Sequence, residues 1–289
     1  MTRLWDKGAP LDERVLRYTA GEDHALDNRL VAYDVQASIA HAEMLHDAGL
    51  VNDVDLAAIR DGLREIAAAH ARGEWSVTLD LEDGQTALET LLTKRIGAAG
   101  ARLHAGRSRN DQVLVALRLY LRDAVEDAIF VQANNRIFGV ILWFMLLGPA
   151  GAWLFRVSDL MRRRVAFEAL RQGRPVAPGS FGSALGVVHG LLAWIPARLV
   201  AATYALAGSF EDAVGNWRAA VDGAASGLLD RTEDLLARVG KGSLQPSLAS
   251  ITTESLDSAT ARGAWRIVSR ATWIWLVVIA LLVLAGEAA

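Results

Sequence analysis

The sequence predicts an all-α protein: a soluble helical N-terminal region followed by a helical membrane region with two or three apolar segments. Three observations carry this. Apolar residues over the first 128 positions recur at helical spacing, with no competing strand alternation. Residues 137–155 form a run of 19 without a charge, about 28 Å long as a helix and enough to cross a bilayer core, and residues 271–286 form a second run of 16. The charge balance also changes along the chain. Residues 1–128 carry 15 Lys and Arg against 22 Asp and Glu, and the remainder carries 15 against 11.

Length permits one or two domains of 1–128 and 129–289, each large enough for a core. The absence of cysteine rules out disulfides and thiolate catalysis. A net charge of −3 gives no reason to expect nucleic acid as a partner. The first ten residues lack an apolar core, so no secretory signal is expected.

Taken in order, helices are expected around 29–49, from a cap at Asn52 or Asp53, around 85–96 and around 112–128. The second is marked by Leu56, Ile59, Leu63 and Ile66, stepping by 3, 4 and 3. Residues 71–81 and 97–106 read as Gly-containing turns. The 112–128 helix carries the apolar stripe Val113, Leu117, Tyr120, Leu121 and Ala124. Gly148-Pro149 is expected to kink the first apolar run. Residues 187–209 read as a re-entrant or interfacial helix pair broken at Pro196, with a third span as the competing reading. Residues 231–257 read as a polar loop with a short helix, and Gly179-Ser180-Phe181-Gly182-Ser183 as a linker.

Just before the 112–128 helix, Leu103-His104-Ala105-Gly106-Arg107-Ser108-Arg109-Asn110-Asp111-Gln112 crowds two guanidiniums, a hydroxyl, a carboxamide and a carboxylate together. One helix start needs one cap, which Ser108, Asn110 or Asp111 could supply. An Arg fork with backbone N–H groups at a helix N-terminus suits a carboxylate ligand. The run resembles the first signature of argininosuccinate lyases, in the fumarase and aspartase superfamily, departing only at Ala105. The resemblance extends over Arg3-Leu4-Trp5, over Tyr33 to Ala42, and over Glu82-Asp83-Gly84-Gln85-Thr86, where Gln85 stands in a position many members give to His. Gly21 likewise replaces a serine that contacts substrate in many members.

This resemblance implies argininosuccinate as ligand and Ser108, Arg109, Asn110, Asp111 and Gln112 as substrate-binding residues. It implies no catalytic residue here. Elimination needs a base beside a carboxylate and an acid for the leaving nitrogen. The family's serine loop and its Thr-x-His-type histidine have no counterpart after residue 128, and the helices that build its tetramer are missing. Neither a metal nor a cofactor is expected. Full-length lyase subunits are implied as partners, and the uncovered apolar faces predict aggregation.

The second half resembles AmpE-type inner-membrane proteins linked to β-lactamase regulation, distant relatives of the cobalamin-biosynthesis membrane protein CobD. The carriers are Asn135-Arg136-Ile137-Phe138, Trp143-Phe144, Gly148-Pro149 and Ala193-Trp194-Ile195-Pro196-Ala197-Arg198-Leu199, with the terminal apolar helix. The resemblance implies an inner-membrane location with the lipid bilayer as partner, beside a lyase-like region of cytosolic type. Arg156, Arg162, Arg163, Arg164, Arg171 and Arg174 place the segment after the first apolar run in the cytoplasm, as Arg262, Arg266 and Arg270 do for the entry to the last. Two spans would then leave the N-terminal region outside, in conflict with its type. Three readings stay open: a lyase acting by complementation, a membrane regulator with a passenger N-terminus, and a rearranged reading frame without selected function.

Overall fold

The structure, a computed structural model, describes residues 23–78, 81, 83–171, 176–222, 227–244 and 253–287. Arg3-Leu4-Trp5, Gly21, Glu82 and Arg174 lie outside these residues. Every regular element among the described residues is helical. By packing, the chain divides into two units, Met1–Leu121 and Arg122–Ala289.

In the first unit α1 is Asp23–Asp27, α2 Val31–Asp47, α3 Asp53–Ala71, α4 Gly84–Ile96 and α5 Ala98–Arg102, and the division falls inside α6, Arg109–Ala133. Helix α3 starts where the sequence places it: the Asn52 side chain accepts from the Asp55 N–H at 2.8 Å. Its stripe Ile59, Leu63 and Ile66 is buried against Val35, Ala42 and Leu45 of α2 and Leu88 and Leu92 of α4. Asp83 caps α4, its carboxylate accepting from the Thr86 N–H at 2.7 Å. Helix α5 occupies part of the stretch read as a turn.

The stripe on α6 departs from expectation. Val113, Leu117 and Leu121 are exposed, as are Leu114, Val115 and Val125, and Ala116 is buried. Only Tyr120 finds an aromatic partner, edge-on to Tyr33 with centroids 5.8 Å apart. Among the described residues no neighbour covers this apolar row.

In the second unit a π-turn over Asn134–Phe138 leads from α6 into α7, Gly139–Arg171. Next come α8, Phe181–Ala207, α9, Phe210–Val221, α10, Leu228–Ser243, and α11, Thr253–Glu287. Their core joins Phe130, Phe138, Val200, Tyr204, Leu236, Val239, Ile267 and Val268, and the Tyr204 hydroxyl donates to the Phe130 carbonyl at 3.0 Å. Three stretches, 109–169, 181–207 and 261–286, are long and apolar enough to cross a membrane.

Several local expectations change. Helix α7 bends at the predicted Gly148, with φ +65° and ψ −157°, a conformation essentially confined to glycine. The bend is a reversal rather than a kink: Gly139 packs against the Phe155 ring, and Gly151 against the Trp143 carbonyl. In a straight helix Gly139 and Phe155 would stand about 24 Å apart. Residues 179–183 are a helix start rather than a linker, with Ser180 accepting from the Ser183 N–H at 3.3 Å. Residues 228–243 form a full amphipathic helix rather than a loop, with Thr232, Leu235, Leu236 and Val239 buried at helical spacing. Residues 245–252 lie outside the described residues.

Helix α8 is continuous through Pro196, not a broken pair. Proline removes the N–H that would reach the Leu192 carbonyl four residues back. The Trp143 indole N–H takes its place, donating to that carbonyl at 2.9 Å. Trp143→Phe should therefore cost about 1–2 kcal/mol in detergent unfolding, the cost of an unmet polar group. The same change in a Pro196→Ala background should cost much less, because an amide at 196 restores the helical bond.

Candidate carboxylate site in the first unit

The run 104–112 folds as a short loop feeding the N-terminus of α6, and most of its polar groups are engaged by neighbours. Ser108 and Asp111 cap the helix together: the Ser108 hydroxyl donates to the Asp111 carboxylate at 2.8 Å, and the Asp111 N–H donates to Ser108 Oγ at 3.3 Å. Arg109 spans to the start of α4, donating to Asp83 at 2.8 Å and to the Thr86 hydroxyl at 2.8 Å. Asn110 is exposed in the first turn of α6. Gln112 is 3% exposed and faces inward. Ser108, Arg109, Asn110 and Asp111 thus gather at one exposed helix start, while Gln112 lies beneath it.

Arg107 was not singled out by sequence, yet it is the buried cation of the loop. Its guanidinium donates to Ser38 Oγ at 3.1 Å and stands 3.8 Å from Asp34, which is itself 2% exposed. Burial lifts the Asp34 carboxyl from 3.8 to about 6, against the lowering effects of Arg107 and of hydrogen bonds from Gln85 and Ser38. The Gln85 amide therefore helps to hold a buried acid. A signal for Asp34 was present, since it stands in the inward row with Val31, Val35 and Ser38 on α2.

Two histidines flank the loop. His41 Nε2 lies 3.1 Å from the Ala105 carbonyl. His104 Nε2 lies 3.4 Å from Glu89. Burial pushes both below the ordinary histidine range, opposed at His104 by Glu89. Both contacts anchor the loop.

Asp34 titrates higher in the fold than in the unfolded chain, and such a carboxyl favours the fold in its neutral form. That contribution is complete below about pH 4 and disappears as pH rises through about 6. The shift corresponds to about 3 kcal/mol. Hydrogen-exchange protection of the 31–103 core in the solubilised chain should fall across this window, and Asp34→Asn should flatten the fall.

Comparison with known families agrees with the two-part reading. The family described as regulatory signalling modulator protein AmpE matches residues 119–288. The chain belongs to the AmpE family. At the other end of this AmpE-family chain, the family described as lyase matches residues 12–139. The argininosuccinate lyase of Sorangium cellulosum is 49% identical over 125 residues, 43% of this chain and 29% of that protein. That of Thermotoga neapolitana is 40% identical over 151 residues, 52% of this chain and 38% of that protein. That of Pseudomonas paraeruginosa is 40% identical over 185 residues, 64% of this chain and 35% of that protein. The chain thus spans about a third of the length of these relatives, and its N-terminal part is argininosuccinate-lyase-like.

Proposed function

We propose that this chain is an inner-membrane protein of the AmpE type that modulates β-lactamase induction, with residues 129–289 as its membrane region. Residues 1–128 are a lyase-derived region that binds carboxylates without completing the elimination. The AmpE match over 119–288 carries the first part, and exposed apolar residues on α7, α8 and α11 support it. In the N-terminal region the ligand is argininosuccinate. Its carboxylates meet Ser108, Arg109 and Asn110 at the start of α6, with Asp111 and Gln112 supporting the turn. Binding exchanges the Asp83 carboxylate on Arg109 for one from the ligand. Proton transfer has no residue assigned to it.

The test is deletion of 129–289 in the source cell, followed by measurement of β-lactamase induction. A changed induction profile supports the reading, and an unchanged profile overturns it. A second reading, subunit exchange with a full-length lyase, rests on the uncovered row Val113, Leu114, Leu117, Leu121 and Val125. Co-purification of mixed tetramers with raised lyase activity would favour it.

A further inference from the structure

We propose that the chain crosses the bilayer once, at its C-terminal helix, and that residues 139–157 enter and leave the same leaflet as a re-entrant helical hairpin. The proposal rests on the membrane reading above and specifies how the membrane is met.

The first observation is the hairpin. A Cβ at Gly139 would strike the Phe155 ring, and one at Gly151 would strike the Trp143 carbonyl. The two pairs share one midpoint, residue 147, so the arms run antiparallel about the Gly148 reversal. The leading arm, 139–147, is about 13 Å long at helical rise, close to one leaflet and about half of a bilayer core of about 30 Å. Its far end is apolar and exposed at Phe144, Met145, Leu146 and Leu147, and the returning arm adds Trp153 and Leu154. A segment of this length lined with apolar residues is covered by acyl chains from one side. At its base Phe138 and Phe155 are buried in protein.

The second observation concerns α8, the competing span. Its buried row includes His189, Ala193, Ala197, Val200 and Tyr204. Helix α10 runs parallel to its second half: a Cβ at Gly190 would lie 3.0 Å from the Leu229 amide, and the Ser209 N–H reaches the Ser243 carbonyl at 3.0 Å. Helix α10 bears Asp230, Arg231, Glu233, Asp234, Arg238 and Lys241. If α8 crossed the membrane, these six charges would sit at bilayer depth beside it, which is expensive. The opposite row of α8, Val187, Leu191, Trp194, Ile195, Leu199 and Leu206, is exposed and apolar. That is the pattern of a helix lying in the interface. Along it, Leu192 meets Trp143 of the hairpin and Thr203 meets the Trp275 indole N–H at 3.1 Å. Helix α8 therefore touches both apolar projections.

The third observation is the terminal helix. On α11, Ala264, Ile267, Val268 and Ala271 are core residues, and from Leu276 to Leu284 every large apolar side chain but Ile279 is exposed. It is the remaining candidate for a true crossing. One crossing removes the topological conflict in the sequence. The chain before Gly139, the arginine-rich segment after Val157, and Arg262, Arg266 and Arg270 then share the cytoplasmic side required by their positive charge.

The chain has no cysteine of its own, so single-cysteine variants report side directly. Arg136→Cys, Leu147→Cys, Arg171→Cys and Gly286→Cys are treated with a membrane-impermeant maleimide in intact spheroplasts and in inverted vesicles. Arg136→Cys and Arg171→Cys should label in inverted vesicles and not in spheroplasts, Gly286→Cys the reverse, and Leu147→Cys in neither. Labelling of Arg136→Cys and Arg171→Cys from opposite sides, or of Arg171→Cys and Gly286→Cys from the same side, overturns the proposal while leaving the membrane reading intact. Recovery of all four variants in the soluble fraction, labelled without regard to side, overturns the membrane reading itself.

Discussion

Arg107→Met is expected to destabilise the N-terminal unit by about 3–5 kcal/mol near neutral pH, the range for removing one partner of a buried ion pair. The Arg107 side chain is 6% exposed and the Asp34 side chain 3%. Methionine fills much of the space and leaves Ser38 and Asp34 without the guanidinium. The penalty should depend on pH in a defined way. Asp34 can escape its isolation by taking a proton, and without the lowering effect of Arg107 it does so at higher pH, so the cost of Arg107→Met should shrink as pH falls towards about 6 and stay small below it. Hydrogen exchange of the 31–103 core at about pH 4 and about pH 7 separates this from a packing defect, which would be the same at both. Arg107→Lys should recover only part of the loss, because an ammonium cannot keep the fork geometry to both partners.

Asp159→Ala should be of similar size, about 3 kcal/mol. This carboxylate is fully buried and holds Arg156 at 2.8 Å, Arg162 at 2.9 Å and Arg163 at 2.8 Å. Arg156 and Arg163 are about one-third exposed and can turn to water, which limits the damage. Arg162 is more enclosed and keeps Glu233 at 2.6 Å. Removing both of its acids should therefore cost more than the two single changes added, by about 1 kcal/mol. Unfolding of Asp159→Ala, Glu233→Gln and the double variant in detergent measures this excess.

Local physics was legible in the sequence wherever neighbours in the chain supplied it. The Asn52 cap and the Ile59, Leu63, Ile66 row of α3 needed nothing beyond spacing, and Gly148 as the break point needed only glycine followed by proline. Helix α10 contradicts the reading of 231–257 as a polar loop: Leu228, Thr232, Leu235, Leu236 and Val239 keep a helical period that an overall polar composition hides. Other features depend on distant partners. Pro196 reads as a helix breaker until Trp143 arrives to satisfy Leu192. Arg107 reads as one of two guanidiniums crowded at the helix start until α2 brings Asp34 beneath it, leaving Arg109 as the outward cation. The α6 stripe shows the reverse case, a periodic apolar face that no neighbour among the described residues covers.

Membrane fractionation of the expressed chain, with an argininosuccinate cleavage assay on every fraction, tests the central claim most directly. The account predicts protein in the membrane pellet with no cleavage in any fraction, because the proposed carboxylate site at the start of α6 binds without supplying the base and acid that elimination needs. Soluble protein that cleaves argininosuccinate would contradict it, and would mean that Ser108 to Gln112 work with proton-transfer groups elsewhere in this chain.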